Sequence, residues 1–318
     1  MTDRIPLSCH KGEAYDRSED IPVNRSSSPT LGDILHTRYG RRDVLKGALA
    51  TTAISAILGP QALATTVADK PSFNFEEITH GVDETHHVAP GYKADILVRR
   101  GDPVTGDAPA FDPTQQTPES QEKQFGYNND FLAYLPFPLG SQNSSHGLLF
   151  VNHEYTSEEL MFPGLGRQDR EAQFAGMTRE LVDIEMSAHG ASIIEVKKEN
   201  GSWQVVTDSP HVRRISGRTT VMRISGSAAG NRRMRTSADP SGTRVIGTLN
   251  NCAGSVTPWG TVLTCEENFH GYFMGKVEGH PEERNYKRYG VPGGWYAWGR
   301  FHDRFDINKE PYEANRFG

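Results

Sequence analysis

The chain has 318 residues, 36% of them apolar and 23% charged, enough for one large core or two small ones and too apolar for wholesale disorder. With 40 acidic against 34 basic side chains the net charge is −6, so the basic excess of a nucleic-acid binder is absent. The 32 glycines and 19 prolines make the chain turn often, which favours β-rich architecture over helical bundles.

Residues 1–64 read as a targeting segment. A polar stretch over 1–40 leads to Arg41-Arg42, then to an uncharged, Ala-rich run over 47–58 and to Ala62-Leu63-Ala64. Charge, apolar run and small-x-small site occur in the order of a signal peptide, and the arginine pair selects the twin-arginine export machinery. Val44 stands where that motif usually has Phe. The apolar run is shorter than the about 20 residues that span a bilayer, so no stable membrane span is expected after cleavage. The product is expected to be periplasmic or secreted. Because this route carries folded proteins, it also hints at a metal inserted before export.

Residues 65–90 read as a polar lead-in and 91–318 as the folded domain. The run Ala94 to Arg99 predicts a strand, and 101–122 predicts a loop. Leu148-Leu149-Phe150-Val151 predicts a buried strand. Phe174, Met177, Leu181, Ile184 and Ala188 recur at spacings of three and four, which predicts a helix over 171–188 stopped by Gly190. Short strands are predicted over 192–197, 203–206, 219–224, 245–249 and 261–265, separated by Ser-Gly, Asn-Gly and Pro-containing turns. The fold class is therefore mainly β: a sandwich, a barrel or a propeller, with no repeat period to choose among them.

Three polar clusters stand out. The densest runs from Asn250 to Asn268, where Cys252 precedes a Gly/Pro turn and a strand that ends in Glu266-Glu267. Consecutive strand residues point to opposite faces, so these two glutamates share a cavity only if the strand ends or bulges there. Thiolate with carboxylates is a mixed soft and hard ligand set that suits iron or zinc better than calcium alone. The alternative is a Cys252–Cys265 disulfide across a hairpin, with solvated glutamates. Asn152-His153-Glu154 follows the buried strand and presents imidazole and carboxylate at its end, as a site or as a polar turn. Tyr127-Asn128-Asn129-Asp130 offers hard oxygen donors of the kind calcium prefers, or an Asx turn.

Taken together, Phe125-Gly126-Tyr127-Asn128-Asn129-Asp130-Phe131, Leu149-Phe150-Val151-Asn152-His153-Glu154-Tyr155 and the Asn251-to-Asn268 stretch resemble the PhoX alkaline phosphatases over roughly residues 35–318. The resemblance implies a β-propeller with added helices, a cluster of ferric iron and calcium, and hydrolysis of phosphate monoesters outside the cytoplasm. It implies that Cys252 is the iron thiolate and is unbridged. It further implies that Glu267, Glu266 and Glu154 are carboxylate ligands, with Asn129 and Asp130 around calcium. Ser255 departs from the pattern, standing where a second glycine is expected. Members of that family run longer, so this chain is expected to supply only part of the ring, to be poorly soluble alone and to have little activity. Two rival readings are a non-catalytic, calcium-stabilised propeller fragment and a propeller lactonase or phosphotriesterase using calcium alone. A calcium-only site has no use for the Cys252 thiolate.

Overall fold

The computed structural model describes residues 76–318. The targeting residues Arg41, Arg42, Ala62 and Ala64 lie outside the described residues, as does Cys9. Residues 97–318 form one compact unit. Residues 76–96, which belong to a second unit, hold turns and extended chain without helix or strand. The strand expected over 94–99 is not formed. No helix among the described residues is long and apolar enough to cross a membrane.

The main sheet is antiparallel and open, built from β1 (Asn129–Pro136), β2 (His146–His153), β3 (Gly190–Glu199) and β4 (Ser202–Val206) in that order, with β5 (Arg213–Ile215) also paired to β3. The β3–β4 connection is the two-residue turn Asn200-Gly201, at φ 49° and 85°. Both positions have the positive φ that a tight hairpin of this kind demands, and Asn and Gly tolerate it best. Along β2 and β3 side chains alternate between two cores, as the two-residue period of a strand requires. Val151, Ile194 and Val196 join Val104 and Phe125 on one face. Phe150 and Ala191 join Ala133, with Ile193, Ile215 and Val262 against them, on the other.

Among the described residues, five short α-helices accompany the strands: α1 (Pro118–Gln121), α2 (Glu158–Met161), α3 (Arg179–Ala188), α4 (Glu283–Tyr289) and α5 (Trp298–Phe301). Only the second half of the expected 171–188 helix forms. Gln173 and Phe174 sit at φ 52° and 49°, which a helix excludes, and the Thr178 hydroxyl caps the new start by accepting from Leu181 N. Val182 and Met186 of α3 pack into the largest core, among Tyr272, Tyr296, Trp298 and Phe305. α1 interrupts the expected loop over 101–122; Thr117 caps it and Pro118 opens it.

Two further antiparallel pairs are present among the described residues: β6 (Val221–Arg223) with β7 (Arg244–Ile246), joined by a long connection, and the hairpin of β8 (Asn251–Val256) with β9 (Val262–Glu266). Strands β1, β5 and β8 are additions to the sequence expectation. The architecture is mainly β with open sheets and added helices.

Candidate metal centre

The β8–β9 hairpin carries the cysteine motif. Its Thr257–Thr261 turn is closed by Thr257 N donating to Thr261 O at 2.8 Å. Asn251 pairs with Glu266 and Gly254 with Thr264, so the register shifts between them, where Cys252 and Ala253 lie. Such a shift re-aims a side chain that regular alternation would place elsewhere. β1 has a similar shift between Asn129 and Leu132, where Asp130 lies. Asn152, buried at the end of β2, ties the hairpin to the sheet. Its Nδ2 donates to the Cys252 carbonyl at 2.7 Å and its Oδ1 accepts from the Thr264 hydroxyl at 3.0 Å.

Glu154 follows β2 directly and is buried. Its N–H donates to Asn128 O at 3.0 Å, with Asn128 in the left-handed conformation that asparagine tolerates. The outcome is a convergence: Cys252 Sγ and one carboxylate oxygen each from Asp130 and Glu154 all lie within 4.8 Å of one another. Burial, a hydrogen bond to Asp130 and the negative charges of Glu267, Asp130 and Glu154 hold the Cys252 thiol far above its ordinary range. A cation among these groups would reverse that balance and draw the thiol toward thiolate. The donor set, one sulfur with hard carboxylate oxygens, fits a transition metal such as iron better than calcium alone. Neither cysteine is bridged: Cys252 is half-buried and Cys265 exposed.

The remaining expected ligands divide. Glu267 stays beside the cluster, its charge reaching Cys252, while its N–H donates to Asn250 O at 3.0 Å. Glu266 turns to the other side. It accepts from the Thr248 hydroxyl at 2.6 Å and from the N–H groups of Leu249 and Gly318, each at 2.8 Å. Burial raises its carboxyl above the usual range. The two glutamates therefore do not share a face: Glu266 is still paired to Asn251, so strand alternation persists through it. Asn129, next to Asp130 in sequence, is exposed, and its Oδ1 accepts from His153 Nδ1 at 2.9 Å. His153 is fully buried, and its Nε2 accepts from Gly126 N and Ser192 Oγ. Burial holds the ring well below its ordinary pKa, so it serves as a neutral brace.

Asn250 and Asn152 stand inside the motifs, where residue type alone assigns them no role; the structure shows both hydrogen-bonded to cluster residues. Asn250 Nδ2 donates to Glu154 Oε1 at 3.0 Å, across 96 residues of sequence. The signal available was an Asn-Asn pair directly before the cysteine. A separate cavity of about 420 Å³, lined by residues including Asp239, Arg304, Glu313 and Arg316, contains none of the cluster.

Comparison with known proteins gives a consistent picture. The family model described as Alkaline phosphatase PhoX matches residues 73–318. Among solved structures, Pseudomonas fluorescens PhoX in complex with vanadate, a transition state analogue, is 39% identical to this chain with a TM-score of 0.67. The match covers 77% of this chain and 40% of that one, so the chain spans less than half the length of that protein. No curated protein matches.

Proposed function

The chain belongs to the PhoX alkaline phosphatase family, and on that premise we propose that it serves metal-dependent hydrolysis of phosphate monoesters. The observation that carries the reading is the meeting of Cys252, Asp130 and Glu154 within 4.8 Å, from three segments far apart in sequence. Ferric iron and calcium, when bound, would neutralise phosphoryl oxygens and favour attack by water. Cys252 would supply the thiolate to iron, and Asp130, Glu154 and Glu267 the hard oxygens. The amide groups of Asn250 and Asn128 orient the two oxygens of Glu154 from behind, at 3.0 and 3.5 Å. Asn152 fixes the backbone of Cys252 itself. In this arrangement the cysteine holds metal and does not attack substrate. The vanadate bound to the Pseudomonas protein, described there as a transition state analogue, is in keeping with phosphoryl chemistry.

The antiparallel run β1–β2–β3–β4 has the strand count of a propeller blade, which supports reading the sheet as one blade of a propeller. Arg41-Arg42 and Ala62-Leu63-Ala64 support twin-arginine export to the periplasm or beyond.

The test is metal analysis with turnover of a chromogenic phosphomonoester, comparing Cys252→Ser with Cys265→Ser in protein loaded with iron and calcium. The first variant should lose iron together with whatever turnover the chain has, and the second should keep both. Iron retained by Cys252→Ser would overturn the reading.

A further inference from the structure

Behind Glu154 runs a buried chain of hydrogen bonds. Asn250 is fully buried at φ 52° and acts in two directions. Its Nδ2 donates to Glu154 Oε1 at 3.0 Å, and its backbone carbonyl accepts from Glu267 N at 3.0 Å. One residue thus holds two of the carboxylate-bearing residues beside Cys252. The other end of its amide, Oδ1, lies 3.4 Å from the hydroxyl of Tyr272.

Tyr272 is fully buried, and its ring stacks on Tyr296 at 4.6 Å between centroids. Its hydroxyl is 2.9 Å from His189 Nε2. His189 Nδ1 is 2.7 Å from the Glu185 carbonyl, which can only accept, so Nδ1 carries the proton and the neutral ring offers Nε2 as an acceptor. The Tyr272 proton is then shared, with a short branch to His189 and a long branch to Asn250 Oδ1. The Glu185 carboxylate, which accepts from Thr156 Oγ1 at 2.8 Å and Trp298 Nε1 at 3.0 Å, anchors the far end. Because the Glu154 carboxylate only accepts, the Asn250 amide works in one orientation. Its NH₂ must face Glu154 and its oxygen must face Tyr272.

We infer that Tyr272, held by His189, is a positioning residue for the metal centre: it fixes the Asn250 amide, and through it the placement of Glu154. The inference rests on reading Asp130, Glu154 and Cys252 as a metal site. Partners one step behind a metal ligand set its direction and typically carry about 10- to 100-fold in metal affinity.

The test uses cobalt(II) alone as the probe, titrated without oxygen into the full chain. Affinity and the sulfur-to-cobalt charge-transfer band are the readouts. Tyr272→Phe keeps the ring stack and removes only the hydroxyl. Standing one step further back than Asn250, it should weaken cobalt binding by about 10-fold, the low end of that range, and change the band. Tyr286→Phe removes the hydroxyl of another buried tyrosine, one that donates to Pro311 O at 2.8 Å and has no site residue as partner, and should leave cobalt affinity unchanged. Wild-type affinity and band in Tyr272→Phe would overturn the inference while leaving the metal site standing. Equal weakening in both variants would also overturn it, because general loosening would then be the cause. Absence of cobalt binding in the wild type, or a wild-type band in Cys252→Ser, would instead bring down the metal-site reading. If Tyr272→Phe does not fold, Asn250→Gly, which suits the positive φ and keeps the carbonyl for Glu267, reads the same link. Unchanged affinity in that variant overturns the inference as well.

Discussion

Replacing Asn152 with alanine should loosen the hairpin that carries Cys252 while leaving the main sheet paired. The side chain makes two cross-links, donating to the Cys252 carbonyl at 2.7 Å and accepting from Thr264 Oγ1 at 3.0 Å. Each hydrogen bond is worth about 1 kcal/mol net, and a buried partner left unmet costs about 1–3 kcal/mol. The Thr264 hydroxyl has a second acceptor in Ala253 O at 3.4 Å, so that part of the loss is recoverable. The Cys252 side of the link dominates, and the expected destabilisation is about 1–3 kcal/mol. Urea unfolding measures it. Iodoacetamide labelling of the native protein measures where it falls: Cys252 should label faster, while the already exposed Cys265 should not change. An unchanged urea midpoint with unchanged Cys252 labelling would refute the claim that Asn152 holds the hairpin.

Arg214→Lys should destabilise by about 2–5 kcal/mol in chemical denaturation. The buried guanidinium donates to the carbonyls of Gln124, Ser187, His189, Ala191 and Ile215, more acceptors than the three protons of lysine can meet; a loss under about 1 kcal/mol would contradict this accounting. Burial lowers the pKa of His270 to about 4, with Trp295 edge-on at 4.7 Å. A histidine whose folded pKa is depressed stays neutral in the native state while the unfolded chain takes up protons, so stability falls as pH drops from about 6.5 toward 4. The loss between pH 7 and 4 is about 3 kcal/mol, and His270→Gln should remove that part of the slope; parallel stability–pH curves for the two proteins would count against it.

What the sequence made legible was local. The apolar run 148–151 and the Asn200-Gly201 turn carry their geometry within a few residues, and β2 and the β3–β4 hairpin follow from them. β5 is only three residues long, and β8 runs through Cys252-Ala253-Gly254-Ser255, which lacks the branched and aromatic residues that mark strands. The apolar periodicity that predicts a helix from 171 extends upstream of Thr178, through Gln173 and Phe174, whose positive φ a helix excludes. In the site, Asp130, Glu154 and Cys252 were each readable as residue types within motifs. Which glutamate faces them was not, since that depends on the pairing of Asn251 with Glu266. The Glu154–Asn250–Tyr272–His189 chain was hidden further still, because two of its links join positions 96 and 83 residues apart.

That same separation bears on the order of events when the protein is made. Asn152 and Cys252 meet across 100 residues. Closing a flexible loop of that length costs about 4 kcal/mol in chain entropy, before any penalty for aligning the side chains. An ion offered to the nascent chain would meet scattered single ligands and gain little by gathering them. The expected order is that the sheet, the β8–β9 hairpin and Asn152 assemble the pocket first, so that loading would act on an already folded chain. Refolding in the presence of the ion should therefore proceed at the same rate as refolding without it, with the ion slowing only the reverse, unfolding reaction.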